Sequence, residues 1–218
     1  MSAKNKESDR KRSRPLTKSN KIGTIKRNRL LFSITLIVII IIIISGLYLV
    51  FFQNKASGNP IAVIDTSMGT IKVELYEDKM PITTANFIKL ANDGFYNGMI
   101  FHRIGDNFMI QTGAYLPDGT QKSSPYGNIQ FETSDVKHVD GAISMASTGA
   151  KVGGNAQFFI CDAAQPGLDG NYAAFGVTIE GIDVVRNIAS QPQDNSSPAG
   201  GGKPYTDIII NSIKIENN

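Results

Sequence analysis

Between Leu30 and Phe52 the chain runs for 23 residues without a charged side chain, and six consecutive isoleucines, Ile39 to Ile44, lie within that run. As a helix it would span about 34 Å, enough to cross a hydrocarbon core of about 30 Å. A soluble core helix carries a polar stripe, whereas this run is apolar on every side. Ser33, Thr35 and Ser45 can bond back to helix carbonyls, and Tyr48 falls near the far interface. A cleaved signal peptide is the alternative, with Ala56-Ser57-Gly58 as small residues for cleavage, but its apolar region is usually only about 7–15 residues long.

Charge orients the segment. Eleven Lys and Arg precede it against Glu7 and Asp9, while only Lys55 follows closely. The positive-inside rule then places the N-terminus in the cytoplasm. The expected organisation is a basic cytoplasmic tail over 1–29, a transmembrane signal-anchor helix over 30–52, a linker over 53–60 and a folded domain over 61–218. That domain would sit outside a cell membrane crossed once. The basic tail stops where the apolar run begins, so it reads as an anchor flank touching anionic headgroups, with no nucleic-acid partner. One cysteine and two histidines in 218 residues exclude a disulfide framework and a Cys/His zinc cluster. No metal or cofactor is expected.

Residues 61–66 and 70–76 read as a hairpin, because Ile71, Val73 and Leu75 alternate with Lys72 and Glu74. Pro81 to Asn92 reads as an amphipathic helix with Ala85, Phe87, Ile88 and Ala91 toward a core, Pro81 in its first turn and Gly94 beyond its end. Short apolar runs follow at 101–104, 108–112, 129–131, 142–146, 157–161 and 173–178, separated by Gly, Asp, Asn and Pro. Many short strands at such spacing suggest a sandwich or a closed barrel. A second helix fits Ile182 to Ala189 and a last strand Asp207 to Ile215, with a Gly, Pro and Ser rich surface loop from Gln191 to Lys203 between them.

Familiar catalytic signatures are absent. Cys161 ends a strand-like run and reads as a buried thiol rather than a nucleophile. No serine elbow occurs, and Gly149 to Gly154 lacks the GK[ST] ending of a phosphate loop. The distinctive stretch is Phe101-His-Arg-Ile-Gly-Asp-Asn-Phe-Met-Ile-Gln111, where one arginine stands among large apolar residues. Together with Ile143-Ser-Met-Ala-Ser147, Ala156-Gln-Phe-Phe-Ile-Cys161 and Leu168-Asp-Gly-Asn-Tyr-Ala-Ala-Phe-Gly176, it resembles the cyclophilin family in order and spacing. Ile71 to Tyr76, Pro81 to Leu90 and Gly94 to Gly98 agree, so the resemblance covers most of residues 61–215.

The resemblance implies a mainly β fold: a closed eight-stranded antiparallel barrel capped by two α-helices, preceded here by one N-terminal transmembrane helix. It also implies a peptidyl-prolyl cis-trans isomerase that needs no metal or cofactor and takes proline-containing polypeptides as clients; a monomer is expected. By motif, Arg103, Gln111 and Phe108 would be catalytic, with Met109, Ala146, Ser147, Gln157, Phe159, Leu168 and Tyr172 binding substrate. His102 would be adjacent to the site or structural, since neighbours on a strand point to opposite faces. His138, in a charged loop-like segment, reads as solvated. The chain departs from the family pattern at Gly105-Asp106, Thr112-Gly113-Ala114, Gly167 and Tyr172. The alternative function is a catalytically weak module that binds proline-containing segments or a partner protein.

Overall fold

The computed structural model describes residues 35–47 and 58–217, which belong to two units, one within Met1–Lys55 and one within Ala56–Asn218. In the first unit residues 35–47 form helix α1, whose aliphatic side chains, Leu36 to Ile44 and Leu47, are 45–63% exposed. Among the described residues no helix is long and apolar enough to cross a membrane. The tail over 1–29, both ends of the expected 30–52 span and the linker up to residue 57 lie outside the described residues.

The second unit is built on one antiparallel sheet of eight strands: β1 (Ile61–Thr66), β2 (Gly69–Leu75), β3 (Arg103–Gly105), β4 (Met109–Thr112), β5 (Ala142–Met145), β6 (Phe158–Cys161), β7 (Ala173–Glu180) and β8 (Ile210–Glu216). Their order across the sheet is β3-β4-β6-β5-β7-β2-β1-β8. The sheet curls into a half-barrel rather than the closed barrel expected. No ladder among the described residues pairs β3 with β8. The chain just before β3 crosses the gap instead, through an isolated bridge between Ile100 and Ile209 and a bond from the Phe101 N–H to the Ile208 carbonyl. The run at 129–131 forms no strand. It lies against Gly153, where a Cβ would stand 1.8 Å from the Ile129 carbonyl oxygen, and the Ile129 N–H goes to the Gly154 carbonyl rather than into a ladder.

Alternation in β1 and β2 sends Ala62, Ile64, Ile71, Val73 and Leu75 into the main core. In β5 and β6 every residue is buried, because the outward face is covered as well. Ile143, Met145, Phe158 and Ile160 join the main core, while Ala142, Phe159 and Cys161 join Met109 in a second cluster on the other face. That outer cluster is where the site lies.

Two helices cover the half-barrel, as expected: α2 (Pro81–Asn92) packs on β7 and β8, and α3 (Ile182–Ala189) on β2, β3 and β4. Helix α2 buries Phe87, Leu90 and Ala91 together with Thr83, Thr84 and Asn86. Ala85 turns out to be exposed and Ile88 only half-buried, so the core face is rotated from the expected one toward the Thr83/Phe87/Leu90 line. Met80 makes no side-chain cap. The Glu132 carboxylate, fifty residues on, accepts the N–H groups of Ile82 at 3.2 Å and Thr83 at 2.9 Å, which satisfies free first-turn donors and places negative charge at the positive helix end. Glu132→Ala should therefore lower the unfolding free energy by about 1 kcal/mol in urea titrations; an unchanged midpoint would show that the cap contributes nothing.

Candidate active site

The strand register builds the site. Arg103 on β3 stands opposite Gln111 on β4, Gln111 opposite Phe159 on β6, and Phe159 opposite Ser144 on β5. One transverse row thus carries a cation, an amide and an aromatic ring, with Met109 two rows along and opposite Cys161, on the same outer face as Phe159. The turn after β3 adds Phe108, and the short 3-10 helix Pro166–Leu168 adds Leu168. Nine of the ten residues singled out from sequence line one cavity of about 230 Å3: Arg103, Phe108, Met109, Gln111, Ala146, Ser147, Phe159, Leu168 and Tyr172, joined by Ala199. That volume suits one side chain or ring more than a drug-sized ligand, which usually needs at least about 300 Å3. Gln157 is the exception. It lines an adjacent cavity of about 190 Å3 that shares Gln111, Ala146 and Ser147.

Arg103 is held on three sides. Its Nη1 donates to Oε1 of Gln111 at 3.1 Å, its Nε to the Gly200 carbonyl at 2.9 Å, and its Nη2 to the Ala199 carbonyl at 2.7 Å. Its guanidinium carbon lies 5.3 Å from the centre of the Phe108 ring. Gln111 is fixed in turn, since its Nε2 donates to Oε1 of Gln157 at 3.0 Å. Burial lowers the guanidinium pKa from its usual value, yet an arginine stays protonated in proteins, so the group remains a fixed cation.

The aromatic wall has its own support. Tyr172 meets Phe159 edge-on at 6.3 Å, and the His138 ring stacks on Phe159 at 6.0 Å and 12°. His138 is not the solvated residue expected. It is 1% exposed, its Nδ1 lies 3.0 Å from Oδ1 of Asp169 and its Nε2 3.0 Å from Oγ of Ser144. A neutral ring with Nδ1–H donating to Asp169 and Nε2 accepting the Ser144 hydroxyl fits both contacts, and burial pushes its pKa down. The charged neighbours in sequence hid this, because the partner that draws the ring inward is 31 residues away. Cys161 is buried, and burial raises its thiol to about 12, which removes it as a nucleophile.

The departure at Gly105-Asp106 has a structural counterpart. Asn107 takes a left-handed φ of 56°, which asparagine tolerates better than most residues. Its N–H is bound by the Asp162 carboxylate at 2.7 Å and its carbonyl by Nε2 of Gln165 at 3.0 Å. Asp162 thereby fixes the turn that carries Phe108. The sequence signal for this clamp, an aspartate directly after the Phe-Phe-Ile-Cys strand, was legible only with the turn beside it.

His102 lies beside the row rather than in it, edge-on to Tyr115 at 5.1 Å. Burial, then the Arg103 charge, pushes its pKa down to about 4. The folded state thus binds fewer protons than the unfolded chain, whose histidine titrates near about 6.5. Its contribution is complete above that pH, is lost progressively below it, and levels off below the folded value near 4. Denaturation midpoints should fall through this window in the wild type and fall less in His102→Gln; equal slopes would refute the linkage.

The cyclophilin type peptidyl-prolyl cis-trans isomerase family model matches residues 61–215. A peptidyl-prolyl cis-trans isomerase of Synechococcus elongatus is 43% identical over 129 residues, covering 58% of this chain and 87% of that protein. A peptidyl-prolyl cis-trans isomerase-like 1 protein of Emericella nidulans is 44% identical over 155 residues, covering 69% of this chain and 91% of that one. In structure, a cyclophilin type isomerase of Cryptosporidium parvum superposes with a TM-score of 0.65 at 33% identity, covering 72% of this chain and 98% of that one. A second structure of it was determined in the presence of the dipeptide Ala-Pro, with a TM-score of 0.64. The chain therefore belongs to the cyclophilin-type family and is a peptidyl-prolyl cis-trans isomerase.

Proposed function

We propose that this chain accelerates X-Pro isomerisation in polypeptides folding outside the cytoplasmic membrane, by non-covalent catalysis at Arg103. The observation that carries the mechanism is the pinned guanidinium beside a single-ring cavity. Rotation about an X-Pro bond passes through a twisted amide, in which resonance is lost and the imide nitrogen can accept a hydrogen bond. An enzyme needs only to bind that state better than either planar isomer.

Arginine has five N–H donors, and three of Arg103's are engaged with Gln111, Ala199 and Gly200. One donor on each terminal nitrogen remains for the proline nitrogen and the proline carbonyl. Phe108, Met109, Phe159 and Leu168 hold the ring, Tyr172 closes the rim, Gln111 orients the arginine, and Ala146, Ser147 and Gln157 receive the chain before proline. The apolar wall strengthens the bonds made against it.

The location rests on the uncharged run 30–52, on the eleven basic residues before it and on the aliphatic surface of α1, which an apolar surrounding would cover. The test of the function is a protease-coupled assay of an Ala-Pro peptide with the full-length chain in detergent. Acceleration is expected; peptide binding by the folded protein without acceleration would return it to a binding module. Protease digestion of intact cells should remove the domain, and its protection would refute the outside location.

A further inference from the structure

The segment between α3 and β8 is a built element rather than a loose connection. It doubles back on itself through a bridge between Gln193 and Pro204 and a bond from the Asp194 N–H to the Lys203 carbonyl. Oδ1 of Asp194 binds across both arms, accepting the N–H of Ser196 at 3.0 Å and of Lys203 at 2.8 Å. The arm then docks on the free edge of β3: Ile104 and Gly202 exchange both backbone bonds, at 2.8 and 2.9 Å. That approach admits only glycine. Gly201 sits at φ +72°, and a Cβ on it would stand 2.2 Å from the Ile104 carbonyl oxygen. A Cβ on Gly105 would stand 3.3 Å from the Gly201 Cα, so the glycine at 105, a departure from the family pattern, matches the glycines of the strap.

We propose that residues 193–204 are a positioning strap for Arg103, and that the carbonyls of Ala199 and Gly200 set the angle at which its guanidinium meets the substrate. The proposal rests on the catalytic reading of Arg103 given above. The strap takes the Nε and one Nη2 proton, and Gln111 takes one Nη1 proton. The planar fork is then fixed by acceptors on two elements, and its two remaining protons have a defined direction before substrate arrives. A long side chain that would otherwise sample many rotamers is ordered in advance, which lowers the barrier without adding a contact to the reacting bond. The strap also supplies Ala199 as one wall of the cavity. An inhibitory strap would compete for the donors the peptide uses, whereas these carbonyls leave one free on each terminal nitrogen.

Two full-length variants loosen the strap from different places. Gly201→Val breaks the docking on β3, and Asp194→Ala removes the acceptor that joins the two arms without touching the barrel. Asp194→Asn keeps a side-chain oxygen there and serves as the rescue. Two readouts are followed: kcat and KM for an Ala-Pro peptide, and the water exchange of the Arg103 Nε–H signal in proton–nitrogen NMR. In Gly201→Val and Asp194→Ala the Nε–H should exchange faster and kcat should fall by about ten-fold or more, as catalytic groups held out of line do, with KM little changed. Asp194→Asn should restore both. Faster Nε–H exchange with unchanged or raised kcat would overturn the strap alone, as would unaltered Nε–H exchange in folded Gly201→Val. A wild type without isomerase activity would overturn the reading on which the strap rests.

Discussion

Arg103→Ala is expected to reduce kcat/KM for X-Pro isomerisation by about a hundred- to a thousand-fold, the usual cost of removing one preorganised donor aimed at a transition state. The fold should survive, because Arg103 is only half-buried and β3 is held through backbone bonds to β4 and to the strap. Loss of the side chain leaves two strap carbonyls and the Gln111 oxygen without their donor, but the strap carbonyls are exposed enough to take water. Arg103→Lys should recover little, since an ammonium offers no planar fork to match three fixed acceptors. Turnover within a few-fold of wild type in either variant would show that the cavity acts by another group.

The largest effect on stability is expected at Phe87→Ala. The Phe87 ring is fully buried and lies 5.5 Å from Tyr96, 5.2 Å from Phe158 and 5.4 Å from Phe175, ring centre to ring centre. It is the point at which α2 is joined to β6 and β7. Truncation removes the transfer energy of the ring and leaves a cavity that its rigid neighbours cannot fill, for a cost of about 3–5 kcal/mol. That is a large part of the roughly 5–15 kcal/mol by which a domain is stable. Urea denaturation should show a much lower midpoint with an unchanged slope; a loss below about 1 kcal/mol would mean the core repacks around the gap.

Elements whose physics is local were readable from sequence. Residues 61–66 and the alternation of Ile71, Val73 and Leu75 pack one face only, so the period of two survives in the residue pattern. Pro81 and the Val185/Ile188 spacing marked both helices of the domain at their observed bounds. The strands that carry the site are different. Each residue of β5 and β6 is buried on one face or the other, and the residue pattern alone cannot say which face holds the pocket. The resemblance of motifs supplied Arg103, Gln111 and Phe159, and the register then put them in one row.

What sequence reasoning missed depends on long-range placement. The Ala199 and Gly200 contributions are backbone carbonyls, which no side-chain pattern announces; the only signal was the glycine run Gly200 to Gly202 matched with Gly105. The segment from Gln191 to Lys203 is exposed in large part, as a surface loop should be, yet two of its carbonyls hold the key cation. His138 and Asp169 find each other only after the fold brings the segment before β5 beside the 3-10 turn. Closure of the barrel failed as an expectation for a similar reason. Strand β3 is three residues long, and its outer edge is taken by the strap at Gly202 instead of by β8.

The most direct test of the catalytic claim is two-dimensional exchange NMR on an Ala-Pro peptide at saturating concentration, comparing the wild type with Arg103→Ala. Saturation separates turnover from binding. Exchange peaks between the cis and trans forms of the bound peptide should appear with the wild type and largely vanish with the variant, while both proteins still shift the peptide signals. Equal exchange in the two proteins would contradict the account, because the pocket would then turn the bond without the cation at its centre.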